Sequence, residues 1–156
     1  MASSFLPLPT DVVRALQNGR PDSNGQVPER QVSDGAGNPC RHCLRQIPKD
    51  SEMLVLAHRP FPFPQPYAEV GPVFLCADAC EPPSDTTRMP EILCDVSEVL
   101  IRGYGTDDRI RYGTGRVVAV KRVQGEMEAI FADPTVAYIH VRSARNNCFQ
   151  CRVERG

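Results

Sequence analysis

The chain has 156 residues, 41% of them hydrophobic and 24% charged, with a net charge of −1. That is one domain's length with enough interior to form a core unaided, and the composition is that of an ordinary globular protein. Near-neutrality excludes a global field for nucleic acid or an anionic membrane, and no apolar run approaches the ~18 residues that cross a bilayer.

The first residues, MASSFLPLPTD, lack a basic stretch followed by a long apolar run, which argues against a secretory signal. A cytoplasmic protein with reduced thiols is therefore expected. Thr10 to Asn18 can form a short helix, capped by Thr10 or Asp11, with Val12, Val13 and Leu16 on its apolar side. It is expected to pack loosely. Residues 19–38 are polar, Gly-rich and without periodicity, and read as irregular. Residues 1–38 are thus expected to be a short helix and an irregular segment, and 39–156 a single compact domain.

Within that domain, 53–59 (MLVLAHR) is a strand candidate. The prolines of PFPFPQP rule out a central strand there and favour an extended path. Strands follow at 72–78 and 96–104, a short one at 109–112, and another at 116–120. Val123, Met127, Ile130 and Phe131 then fall on one helical face, which predicts the principal helix, about 122–132. Asp133-Pro134 ends it. VAYIHVR (136–142) returns to alternation, and the C-terminal NCFQCRVER is a last strand. The fold class is α+β around a mainly antiparallel sheet.

Seven cysteines form three close pairs, with Cys94 alone. Cys40 and Cys43 follow a proline turn, and Cys76 and Cys80 leave a strand for a loop. Two short-spaced thiol pairs are what a structural, tetrahedral zinc site uses. The plainer alternative makes Cys76 a buried strand residue and Cys80 an exposed loop thiol. His42, inside the first cysteine pair, is an alternative ligand, but its adjacency to Cys43 strains that geometry. His58 reads as an ordinary strand residue. At the other end, Cys151 reads as a small core residue sharing a face with Phe149 and Val153. Cys148, beside Arg145, is a candidate reactive thiol.

Alternation on 136–142 puts Ala137, Ile139 and Val141 on one side, and Val136, Tyr138, His140 and Arg142 on the other. On 96–104, Val99 and Ile101 oppose Glu98, Leu100 and Arg102, and Tyr104 continues the polar row. If these strands are neighbours, Arg102, Tyr104, His140 and Arg142 converge. Guanidinium groups bind carboxylate or phosphate, and imidazole exchanges protons near neutrality. The alternative is a solvated sheet face with cross-strand ion pairs, for example Glu98 with an arginine.

PCRHCLR, PFPFPQPYAEVGPVFLC, LIRGYGTDD and FADPTVAYIHVRSARNNCFQCRVERG together resemble the domain-of-unknown-function family numbered 1203, small proteins from bacteria and fungi. The resemblance covers nearly all of Pro39 to Gly156 and is most specific in the last 26 residues. It implies a compact single domain and directs attention to His140, Arg142, Arg145, Cys148 and Cys151, without implying an activity.

The combined expectation is a zinc-stapled α+β protein that binds a small acidic metabolite through Arg102, Tyr104, Arg142 and Arg145. If it is an enzyme, His140 is the proton-transfer candidate and Cys148 the nucleophile. The competing expectation is a non-catalytic zinc-stabilised module that binds another protein through residues 59–67, with Phe61, Phe63 and Tyr67 presented.

Overall fold

The strand signals become two antiparallel sheets. The computed structural model describes residues 2–156. In chain order its elements are β1 (Ser4–Leu6), α1 (Thr10–Gln17), β2 (Glu29–Val32), β3 (Glu52–His58), β4 (Gly71–Cys76), α2 (Glu91–Cys94), β5 (Glu98–Tyr104), β6 (Arg116–Ala119), α3 (Val123–Phe131), β7 (Tyr138–Ser143) and β8 (Phe149–Glu154). Five strands pair in the order β1-β8-β7-β5-β6, and three in the order β2-β3-β4. The expected α+β class with a dominant antiparallel sheet and one main helix is what forms. No described helix is long and apolar enough to cross a membrane.

The helical periodicity between Val123 and Phe131 explains where the main core lies. Val123, Met127, Ile130 and Phe131 are all buried against Val99, Ile101, Ile139, Val141, Cys151 and Val153. These strand residues sit on one face of the five-stranded sheet because side chains alternate. Pairing of Ile101 with Val141, and of Val141 with Cys151, keeps that face continuous. Gly103 lies on the same face, opposite Ile139. A Cβ there would meet Val136, Ile130 and Thr114 at 3.1–3.2 Å. The missing side chain lets the end of α3 close onto the sheet.

Four local expectations change. Residues 29–32 are not irregular but pair with β3 as an edge strand. Nor does the N-terminus pack loosely: Ser4–Leu6 pairs with β8, and Val13 and Leu16 of α1 are buried. The expected strand at 109–112 reduces to a single bridge between Tyr104 and Ile110, because the Gly105–Asp108 turn leaves too little chain to extend it. The alternation expected over 136–142 starts only at Tyr138. The turn after α3 sends Val136 to the helix-side core and Ala137 to the opposite side, against the cluster of Phe61, Tyr104 and Tyr138.

A further change concerns β8. Val141 pairs with Cys151 but Arg142 pairs with Phe149, so a bulge at Gln150 breaks the pleat. Phe149 therefore leaves the Cys151–Val153 face and joins His140 and Arg142, its ring centroid 4.9 Å from that of His140. Cys151 is fully buried, as expected of a core thiol.

Gly103→Ala is expected to lower stability by about 1 kcal/mol, since three packed side chains must give way. Urea denaturation should show this as a reduced midpoint with an unchanged slope.

Candidate functional site

The first pair of cysteines sits in a tight hairpin. Pro39 bridges Gln46, Leu44 donates its backbone N–H to Cys40, and Leu44 takes a left-handed φ of 56° to close the turn. A bridge from Cys40 to Phe74 lays this hairpin against β4, whose last residue is Cys76. Cys80 completes the group, and the four sulfurs lie within 4.8 Å of one another. Cys40 and Cys80 are 3.9 Å apart, Cys43 and Cys76 4.0 Å. Sulfurs on a tetrahedron with 2.3 Å metal bonds stand about 3.8 Å apart. The expected ligand set is thus assembled, and it can hold a metal ion.

Surrounding groups favour thiolate at Cys40. The backbone N–H groups of His42 and Cys76 donate to the Cys40 sulfur. Hydrogen bonds from Cys43, Cys76 and Cys80 hold the Cys40 thiol far below its ordinary range. The same proximity to Cys40 pushes Cys76 and Cys80 upward. His42 is not a fifth ligand. Its Nδ1 lies 3.1 Å from the Cys80 sulfur, and its Nε2 2.9 Å from the Thr10 hydroxyl. A partner of this kind orients a ligand and tunes its basicity. Helix α1 also clasps the loop: Gln17 donates to the carbonyls of Cys76 and Asp78, and Arg14 to that of Cys80.

The polar stripe lies on the sheet face opposite α3. Pairing of Arg102 with His140, and of Tyr104 with Tyr138, brings four expected residues together: Arg102, Tyr104, His140 and Arg142. Arg102 donates to the Tyr104 hydroxyl at 2.8 Å. His140 is 1% exposed and ringed by Phe61, Tyr104, Tyr138 and Phe149, all within 5.2 Å by centroid. Burial, reinforced by Arg142, Arg152 and Arg102, keeps His140 neutral at pH 7. Its Nδ1 has no hydrogen-bond partner among the described residues. Glu98 does not neutralise this face, being opposite Ala119. Glu69, on the chain that follows the Pro-rich segment, pairs instead with both Arg102 and Arg142.

Two cavities flank Cys148. One, of about 200 Å³, is lined by Arg142, Glu69, His58, Asn147, Cys148 and Phe149. His140, Arg102 and Tyr104 do not line it. The other, of about 430 Å³, lies between the cysteine hairpin, α2 and the β7–β8 turn, and takes in Arg41 and Arg145. Arg145 is thus on the far side of Cys148 from the Arg102/Arg142 pair. Cys148 is half-buried, and its sulfur is 3.7 Å from the Asn146 carbonyl. Cys151 points into the core, where burial raises its thiol to about 12. Arg41 is 2% exposed, and burial lowers it to about 10, leaving it charged at pH 7.

A family profile described as "Protein of unknown function (DUF1203)" matches residues 37–155. The chain belongs to that family. A search of curated proteins and solved structures found no match. The DUF1203 match spans the four cysteines, the polar face and both cavities, and leaves out β1, α1 and β2. Within the DUF1203 region, sequence reasoning passed over Arg41 and Glu69 and read His58 as an ordinary strand residue. The charge and hydrogen-bonding capacity of Arg41, beside Cys40, were the available signal. Nothing in the alternation of β3 marked His58, because its cavity is made by β7, β8 and the 69–73 segment.

Burial, with Arg41 and Arg59 nearby, lowers His58 to about 4. The unfolded histidine takes up a proton below its ordinary value of 6.5 while the folded one refuses it. Its contribution is therefore intact above pH 6.5 and is lost as pH falls toward 4. Relative to His58→Phe, the wild-type chain should lose about 1–3 kcal/mol over that window. Paired urea titrations at pH 7 and 4.5 check this.

Proposed function

We propose that this chain is a zinc-stapled binding protein for a small acidic metabolite, with the ligand's anionic group held by Arg102 and Arg142. The observation that carries the reading is Glu69: two guanidinium groups from adjacent strands converge on a single carboxylate of the chain itself. Arg142 is 3% exposed, and the Glu69 side chain 42%. A site that accommodates a carboxylate on a surface strap has the geometry and charge to accept one from a ligand. The neighbouring cavity beside Arg142 offers room for the rest of the molecule.

Zinc is the metal that an all-thiolate tetrahedral set suits best. Its role here is structural, since all four protein ligands would be used. If the bound acid is also transformed, Cys148 supplies a nucleophile at the cavity wall, and His140 is the proton-transfer candidate, a weak base because its surroundings disfavour the imidazolium. Reaching His140 then requires Phe61 to move, because that ring packs against it at 5.2 Å.

The interaction-module reading is less well supported. Phe61 is buried and Tyr67 half-buried, its hydroxyl 3.0 Å from that of Tyr112. Only Phe63, 57% exposed, remains presented from the Pro-rich segment. One aromatic side chain is too little for a recognition row.

Elemental spectrometry of the purified protein should find one zinc per chain, and Cys80→Ser should lose both the metal and cooperative unfolding. A metal-free, stably folded wild-type chain would refute the staple. For the ligand site, Glu69→Gln should bind succinate about 10-fold more tightly than wild type, and Arg142→Gln should not bind it. NMR titration of the arginine Nε–H signals reads both. Succinate affinity unaffected by either substitution would remove the site.

A further inference from the structure

The second cavity carries a separate inference. Its polar end is Arg41, whose buried guanidinium is fixed from two sides: Nε donates to the Phe149 carbonyl at 2.7 Å, and Nη1 to the Pro39 carbonyl at 2.6 Å. The guanidinium also lies 5.7 Å from the centroid of Phe74. Among the described residues no carboxylate pairs with it, and its hydrogen bonds to the chain use only Nε and Nη1. The thiols of Cys148, Cys40 and Cys151 are near enough to act on its charge, but none is hydrogen-bonded to the guanidinium, and a directly bound counter-charge stabilises a buried cation. The remaining nitrogen, Nη2, is free to meet one in the cavity that Arg41 lines.

The rest of the cavity describes what would bring that charge. Phe74, Ile92, Leu93 and Val99 line it, and Ile92, Leu93 and Val99 belong to the core. Gln46 and Gln150 add hydrogen-bonding groups, Arg145 a second cation, and Glu98 a carboxylate. The exposed Glu98 and Arg145 have no ion-pair partner among the described residues. An apolar recess with one fixed, buried cation selects a molecule with an apolar body and a single anionic end. Its volume, about 430 Å³, admits a ring or a short chain.

We propose that this cavity is a binding site for an amphiphilic monocarboxylate, its carboxylate on Arg41 and its apolar body against Phe74, Ile92, Leu93 and Val99. The site is distinct from the Arg102/Arg142 face. Only Asn146 and Cys148 line both cavities, so the Cys148 turn is the wall between them.

The test uses 3-phenylpropionate and its uncharged amide on the metal-loaded full chain, followed by NMR of the backbone amides. The acid should shift amides of Gly37, Gln46 and the 143–148 turn, and bind about 10-fold more tightly than the amide. Ala144→Trp places an indole at a lining position away from Arg41 and the cysteines. It should abolish binding while leaving metal content and melting temperature unchanged. Arg41→Gln should remove the preference for the acid over the amide. If that variant loses metal or fails to fold, the acid–amide comparison and Ala144→Trp decide the matter. Arg142→Gln should leave binding intact, which separates failure here from failure of the Arg102/Arg142 site. Equal affinity for acid and amide, binding that survives Ala144→Trp, shifts confined to the Arg102/Arg142 face, or no binding of the acid at about 20 mM would each overturn the proposal.

Discussion

Four sulfurs gathered within 4.8 Å constrain the whole architecture. As thiols they are poor partners for one another; as thiolates they repel unless a cation stands between them. A metal ion held there would turn this crowding into attraction, and its binding energy would become folding energy. The elements that meet there are a hairpin at 39–46, the end of β4 and a loop at 77–80. Through that loop the centre also reaches α1, because Arg14 and Gln17 hold its carbonyls and Thr10 meets His42. Where the three-stranded sheet meets the five-stranded one, Arg41 is buried between Phe74 of β4 and the Phe149 carbonyl of β8.

The second organising feature is the division of the five-stranded sheet into an apolar face and a charged, aromatic one. The apolar face takes α3. The other face holds histidine and arginine side chains that desolvation would penalise if left unpaired. The chain from Phe61 to Glu69 supplies both remedies, an aromatic lid over His140 and a carboxylate for two arginines. Glu69 sits on the exposed side of this arrangement, so the pair it neutralises is accessible in principle to another anion.

Much of the secondary structure was legible because period-2 and period-3.6 patterns are local. Val123 through Phe131 announced a helix, and β3, β4, β5 and β7 appeared within two residues of their expected limits. The cysteine set was legible for a similar reason, since ligand pairs must be closely spaced to share one metal. The shortfalls have physical causes. β1 and β2 are short, and only their partners make them strands; β2 is exposed along its whole length and shows no apolar face. The bulge at Gln150 is a tertiary accommodation with no signature in NCFQC, yet it moves Phe149 to the other face.

By itself the sequence determined the α+β class, the principal helix, the membership of the Cys40/Cys43/Cys76/Cys80 group, and the alternation that aligns Arg102 and Tyr104 with His140 and Arg142. These follow from spacing, which chain geometry converts directly into direction. Tertiary structure alone decided that Glu69 would neutralise the arginines, that His58 and Arg142 would share a cavity with Cys148, and that Arg41 would be buried without a carboxylate. Such relations join residues separated by tens of positions. They exist only after two sheets have packed, when burial rather than periodicity sets which charges must find partners.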